Sequence, residues 1–370
     1  MGRGVGGLGG SGQCEQLESG DGHCRDEDPG TPLHGVTLRP RPAAGLRNSV
    51  VPPRVAAIMG PVSPVPSEST HLAPDVDVVA QLIRDQAPHL ADLPVRVSPA
   101  SGSSNWVFRL GEALSVRLPR ADEYVDDLLK EVRWLPHLAP HLVSPVPGVI
   151  AVGESSQAFP RPWAVLSWLP GDLPHALDEA QQVRFAETLG AFAQSLHAVD
   201  TTGAPRGAEH WGYRCGEPVT DQIDTWAERA ATALADRFDA AAVREAWRRL
   251  RRVPAATQPV CWVHTDLSAE NVLVGDDGRL AGVIDFGGLG IGDPSVDLLY
   301  AWSLLDAPAR DVLRAAAGAD EATWARARTW AFVGPGLLTI AGYRHSMPAR
   351  SERLGSMVES IAAEVGVELR

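Results

Sequence analysis

Lysine is nearly missing from this chain. Of its 33 basic side chains one, Lys130, is lysine and the other 32 are arginine, so chemistry that needs an ε-amine falls to Lys130 or is done without. Cysteine is scarce as well. Cys14 and Cys24 lie in a Gly- and Pro-rich N-terminal stretch, while Cys215 and Cys261 stand alone in the body. Four cysteines so placed exclude a disulfide framework, and the usage fits a reducing cytoplasm. Positive charge is outnumbered, 33 Lys and Arg against 46 Asp and Glu, for a net charge of −13. That argues against a nucleic-acid binder, whose phosphate-neutralising face must be basic. No apolar run reaches the ~18 residues of a membrane span. The longest, 330–342, is shorter and holds Pro335.

Apolar surface is what the chain has in quantity. Over 370 residues 44% are hydrophobic and 21% charged, enough for one large or two smaller domains at ~150 residues each. Residues 1–70 hold 13 of the 36 glycines and nine of the 30 prolines. A segment of that make-up cannot bury enough apolar surface to offset its ordering entropy, so disorder is expected there. It lacks the basic and apolar regions of a signal peptide, and Asp26, Glu27 and Asp28 argue against a mitochondrial-type leader. Met59 offers an alternative start. Most of the acidity therefore belongs to the body, which is expected to be soluble and cytoplasmic, as a monomer or homodimer.

From residue 74 the pattern becomes periodic. The spacing of Val76, Val79, Leu82 and Ile83 predicts an amphipathic helix over 75–87. Strands are predicted at 95–98, 106–110 and 114–118, with a turn at Ser101-Gly102-Ser103-Ser104-Asn105. A helix over 122–138 follows, then strands at 149–152 and 163–169. After Leu169-Pro170-Gly171 helices dominate. One over 178–199 carries Val183, Ala186, Leu189, Ala193 and Leu196 on a common face. Others run through Trp226, Ala230 and Leu234 and over 240–252. Short strands at 260–263 and 272–283, the latter folded at Asp276-Asp277-Gly278, precede a helical end. The expected organisation is a tail over 1–70, a small sheet lobe over 71–169 and a larger helical lobe over 170–370.

The chemistry concentrates in His264-Thr265-Asp266-Leu267-Ser268-Ala269-Glu270-Asn271, followed by Val283-Ile284-Asp285-Phe286-Gly287. Asp266 follows a strand, Asn271 begins the next, and Asp285 ends that strand's hairpin partner. Asn271 and Asp285 would converge as two hard oxygen ligands, a small set that suits Mg²⁺ shared with substrate phosphates. The remaining carboxylate could deprotonate a hydroxyl. The Gly288-Leu289-Gly290-Ile291-Gly292 run lacks the spacing and the βαβ context of a dinucleotide fingerprint.

These motifs resemble the aminoglycoside phosphotransferase family, whose members share an α+β, protein-kinase-like bilobal fold. The likeness rests on His264-Thr265-Asp266, Ile284-Asp285-Phe286 and Gly292-Asp293-Pro294-Ser295-Val296-Asp297, and it runs from about residue 75 to about 350. It implies that Asp266 is the catalytic base and that Asn271 and Asp285 hold Mg²⁺ on the phosphates of ATP or GTP. It also implies that Gly102, Ser103 and Asn105 cover those phosphates. The backbone of Leu166-Ser167-Trp168 would hydrogen-bond the adenine of the nucleotide, with His264, Asp293 and Asp297 as structural support. Arg117 stands where the family has a lysine, with Glu131 as its partner. Arginine keeps the charge and adds a fork, but it is bulkier. Thr265 replaces the usual Gly or Arg, a mild change for a loop residue.

For the acceptor, Glu209, Glu217, Asp221, Asp224 and Glu228 form an acidic stretch that would attract a polycationic aminoglycoside; the plain alternative is a solvated acidic face. Trp211, Tyr213 and Trp226 would suit a macrolide, and choline- or homoserine-like metabolites are a third option. The rival from another class is a nucleotide-binding pseudokinase scaffold, supported by Arg117 alone.

Overall fold

The computed structural model describes residues 73–98, 104–205 and 215–370. The expected disordered tail lies outside the described residues, as do Gly102, Ser103, Glu209, Trp211 and Tyr213.

Helix α1 (Val76–Gln86) starts at Asp75, whose carboxylate accepts the Val78 N–H at 2.8 Å. That bond satisfies one orphan donor of the first turn. The helix buries Val79, Leu82 and Ile83 against an antiparallel sheet of five strands ordered β1-β2-β3-β5-β4. The strands are β1 (Val95–Val97), β2 (Asn105–Leu110), β3 (Leu114–Pro119), β4 (Val149–Gly153) and β5 (Trp163–Ser167). Period-two alternation sorts the two faces. Phe108, Val116, Leu118, Trp163 and Val165 join the α1 side, while Ala164 and Leu166 pack on Leu128 of helix α2 (Val125–Leu138). Arg117, one residue from Val116 and opposite Ala164, therefore faces α2.

Beyond Gly171 the chain is mainly helical. Helix α3 (Glu179–His197) opens with a capping box in which Asp178 accepts from Gln181 N and Gln181 caps Asp178 N. Its buried stripe is Phe185, Ala186, Leu189, Gly190, Phe192, Ala193 and Leu196. Val183, expected on that face, is 40% exposed in the first turn. Helices α4 (Asp221–Ala233) and α5 (Ala240–Leu250) follow. Strand β6 (Cys261–Val263) does not extend the 272–283 hairpin, which forms β7 (Val272–Val274) and β8 (Leu280–Val283). It pairs instead with an unforeseen strand, β9 (Gly290–Gly292), inside the glycine run.

The predicted helical end comprises α6 (Ala301–Leu304), α7 (Ala307–Ala316), α8 (Glu321–Ala331), α9 (Thr339–Tyr343) and α10 (Pro348–Glu364). Between α8 and α9 a wider, π-helical segment, Phe332–Leu338, is buried throughout and carries Pro335. Proline has no N–H and crowds the preceding turn, and the wider winding relieves both. No described helix is long and apolar enough to cross a membrane.

Helices α3 and α7 meet at Gly190, where an added Cβ would sit 2.6 Å from Ala316 Cβ and 2.8 Å from Leu313 O. The second of these is backbone and has little room to yield. Gly190→Ala is therefore expected to destabilise the protein by about 1–3 kcal/mol, although alanine is the better helix former. Chemical denaturation measures it, and a gain in stability would contradict the close contact.

Candidate active site

The catalytic loop has no regular structure of its own, so its shape depends on side-chain hydrogen bonds. Asp297, 4% exposed, accepts the His264 N–H at 3.1 Å on Oδ2 and the Thr265 N–H at 2.8 Å on Oδ1. His197 Nε2 lies 3.0 Å from the same Oδ2. Asp293 caps the next turn at Ser295 N and pairs with Arg326, whose Nη2 is 3.0 Å from its Oδ2. The His264 ring donates from Nε2 to Ile284 O (3.1 Å), and its Nδ1 accepts the Asp266 N–H (3.3 Å). A backbone carbonyl at one nitrogen and an N–H at the other select a single neutral tautomer. Asp297, Asp293 and His264 thus hydrogen-bond the loop and the turns around it.

Thr265 is less innocent than its sequence context indicates. Its φ is 76°, a left-handed conformation in which β-branched residues are outliers. Its hydroxyl donates to Gly288 O at 3.2 Å, and a Cβ at residue 288 would fall 2.3 Å from Thr265 Oγ1. The loop therefore needs a glycine at 288 to seat a threonine at 265.

Asp266 and Asn271 are brought together. The Asn271 amide Nδ2 donates to Asp266 O at 2.9 Å and to its Oδ2 at 2.8 Å, while Asp266 Oδ1 has no hydrogen-bond partner. Asn271 O accepts from Ile284 N at 2.9 Å, which sets Asp285 beside it. Asp285 adopts φ 65°, turning the chain so that Phe286 N donates to Glu131 Oε1 at 3.2 Å.

Glu131, 1% exposed on α2, takes both of its short bonds from Arg117 Nη1, at 2.9 Å each. Arg117 Nη1 is also 3.9 Å from Asp285 Oδ1. Burial works against the Arg117 charge, yet Glu131 and Asp285 outweigh it and raise its pKa. The guanidinium thus remains a fixed cation beside the carboxylate expected to hold the metal. Asp127, which sequence reasoning did not single out, lies near this turn. An added Cβ at Gly287 would be 3.4 Å from its Cβ, and burial raises its carboxyl pKa against the pull of Lys130.

On the nucleotide side Asn105 opens β2 with its Oδ1 buried and without a hydrogen-bond partner. Gly102 and Ser103 lie outside the described residues. Leu166 is fully buried against α2. The Trp168 N–H is already committed to Ala113 O at 2.7 Å, and the guanidinium of Arg109 stacks 4.0 Å from the Trp168 ring. The link to the helical part is then Leu169-Pro170-Gly171, before Asp172 bridges to Val274.

The acidic stretch on α4 is placed elsewhere. Asp224 is gripped by Arg251 at 2.6 and 2.5 Å and by Trp247 Nε1 at 2.9 Å, and Glu228 by Arg244 at 2.7 and 2.6 Å. These residues line a cavity of about 400 Å³ between α4 and α5, whose walls do not include Asp266. Asp221 occupies the first turn of α4, and Trp226 is a core residue at 5% exposure. Sequence reasoning also missed Tyr300, Glu270, Arg350 and Arg353, which gather at the catalytic loop. Only Glu270 falls inside a motif, and nothing in the local sequence marks the other three.

A model of the phosphotransferase enzyme family (APH) matches residues 96–330. The chain belongs to that family. It is a phosphotransferase with an alcohol group as acceptor. An aminoglycoside 3'-phosphotransferase from Escherichia coli is 27% identical over 220 residues, 57% of this chain and 72% of the relative. Among solved structures, the GDP complex of wild-type aminoglycoside 2'-phosphotransferase-IIIa superposes with a TM-score of 0.57 at 17% identity, covering 79% of this chain and 99% of its own. The apoenzyme of a macrolide 2'-phosphotransferase from Brachybacterium faecium gives 0.52 at 22% identity, with 77% and 98% covered. Both confirm the α+β, kinase-like fold.

The buried ion pair of this phosphotransferase separates stability from chemistry. Glu131→Ala strands the Arg117 charge and is expected to cost about 3–5 kcal/mol, whereas Arg117→Met with Glu131→Leu should recover most of that. Denaturation curves would show the recovery, and the double variant should still transfer no phosphate. Retained transfer in the double variant would mean that Arg117 has no part in the reaction.

Proposed function

We propose that this chain moves the γ-phosphoryl group of ATP or GTP, with Mg²⁺, to a hydroxyl of a small-molecule antibiotic of the aminoglycoside type. The observation that carries the reading is the Asp266–Asn271 pair. One amide fixes the carboxylate through Oδ2 and leaves the buried Oδ1 without a hydrogen-bond partner. An acceptor hydroxyl bonded to Oδ1 would surrender its proton to Asp266 as its oxygen bonds to the γ-phosphorus. The bond from that phosphorus to the bridging oxygen breaks, and the nucleoside diphosphate leaves.

Asn271 Oδ1 and the Asp285 carboxylate are hard oxygen donors, and their Asn271 partner already spends its Nδ2 on Asp266, so the donor set fits Mg²⁺. Two protein oxygens fall short of an octahedron, and phosphate oxygens and water would complete it. The ion supplies neutralisation of the charge that develops on the phosphates. Arg117, held by Glu131, supplies a second positive charge for phosphate oxygens on the sheet side.

A macrolide acceptor is the second reading, favoured by one fact. The α4 carboxylates that would draw a polycation are already neutralised by Arg251 and Arg244. The Escherichia coli relative supports the first reading and the Brachybacterium faecium neighbour shows that the fold serves the second.

The test is transfer from labelled ATP and GTP to a panel of aminoglycosides, macrolides and small amino alcohols. Wild type is expected to label at least one antibiotic. Asp266→Ala should lose about 10²–10⁴-fold in kcat with nucleotide affinity unchanged. Nucleotide binding without transfer to any acceptor would favour the scaffold reading instead.

A further inference from the structure

Two arginines in α10 have no role in the chemistry described so far. Arg350 and Arg353 stand three residues apart, on one helix face, and lie beyond residue 330, where the family match ends. Arg353 Nη2 pairs with Glu270 Oε1, the residue next to Asn271. Arg350 Nη2 donates to the Tyr300 hydroxyl at 3.5 Å. Tyr300 is 7% exposed and near enough to Asp266 to feel that carboxylate's charge. Burial first, and then the charge of Asp266, pushes its phenol far above the ordinary tyrosine range. The phenol is therefore neutral. Since a guanidinium only donates, Tyr300 accepts from Arg350.

Glu270 is held from the same direction. Burial pushes its carboxyl up, but Arg350 and Arg353 together bring it below the usual range. Both ends of the loop, Asp266 and Glu270, are thus tied to one helix. The middle of the loop adds no polar anchor of its own to solvent, since Leu267, Ser268 and Ala269 are all buried.

Helix stability does not explain the placement. Arg350 sits in the first turn of α10, where the macrodipole disfavours positive charge. The helix can carry such groups rigidly because Leu354, Met357, Val358 and Ile361 anchor it in the core.

We infer that Arg350 and Arg353 are positioning residues that fix the catalytic loop from α10, Arg350 through Tyr300 to Asp266 and Arg353 through Glu270 to the neighbourhood of Asn271. The inference rests on Asp266 being the base, and it concerns geometry, not proton affinity. Asp297 holds the start of the loop, the Asn271 amide spans it, and α10 supports the remaining side.

The full-length protein tests this in two ways. Hydrogen exchange of the 264–271 amides is read for wild type, Arg350→Gln, Arg353→Gln, Glu270→Arg alone and the charge exchange Arg353→Glu with Glu270→Arg. Kinetics of the same set are read with an acceptor from the panel. Each Gln variant is expected to speed loop exchange and to lower kcat about 10-fold, as loss of an orienting partner does, with nucleotide KM unchanged. The charge exchange should restore slow exchange and most of kcat relative to Glu270→Arg alone. The inference is overturned if loop exchange stays at the wild-type rate in both Gln variants, or if the exchanged pair behaves no better than the single charge reversal. The amide measurement needs no acceptor. A wild type that transfers nothing would therefore sink the proposed function, while loop exchange would still decide the role of α10.

Discussion

A guanidinium and a carboxylate shut away from water hold the sheet, helix α2 and the Asp285 turn in register. Arg117 comes from the sheet, Glu131 from α2, and the Phe286 N–H from the turn that carries Asp285. None of the three groups could stay buried alone, because an unpaired charge or donor in a dry interior is costly. Together they satisfy one another. The turn that carries Asp285 is thereby placed by a carboxylate that also places the Arg117 guanidinium. An error in any one element would displace the other two.

The catalytic loop follows a second logic, in which strain is over-determined by polar anchors. Thr265 and Asp285 both sit at positive φ, a conformation that costs about 1–3 kcal/mol for a residue other than glycine. The loop keeps it because Asp297 takes two backbone N–H groups at one end and Asn271 ties Asp266 at the other. Strain at the reacting loop and rigidity around it are two sides of one arrangement.

What could be read from the sequence was what is local. Asp266, Asn271 and Asp285 lie close together along the chain, and a hairpin between the last two brings them together by strand pairing alone. The alternation in 106–110 and 114–118 gave the strands, whereas the pairing of Arg117 with Glu131 came only from the family resemblance. The readings that changed all hinge on distant partners. The acids at Asp224 and Glu228 resemble an open acidic face until Arg251 and Arg244 of the next helix are seen to neutralise them. The Trp168 amide looks free until Ala113, across the sheet, claims it. Gly290 to Gly292 became a strand because β6 lies beside it, and Tyr300 and Arg350 meet Asp266 only through tertiary packing. Thr265 read as a mild change because its φ is invisible in a list of residues.

The near-absence of lysine has a practical side. Reagents that label the phosphate-site amine of kinase-like proteins would find a guanidinium at Arg117, which stays protonated and is a poor nucleophile. Apart from the α-amino group, the chain holds one primary amine, Lys130, on the helix that carries Glu131, with its Nζ 3.3 Å from Asp127 and its side chain 22% exposed. Amine-directed acylation would then mark that face of α2 and no other side chain of the protein. The protein thus carries a built-in address for a spectroscopic label, next to the turn that holds Asp285.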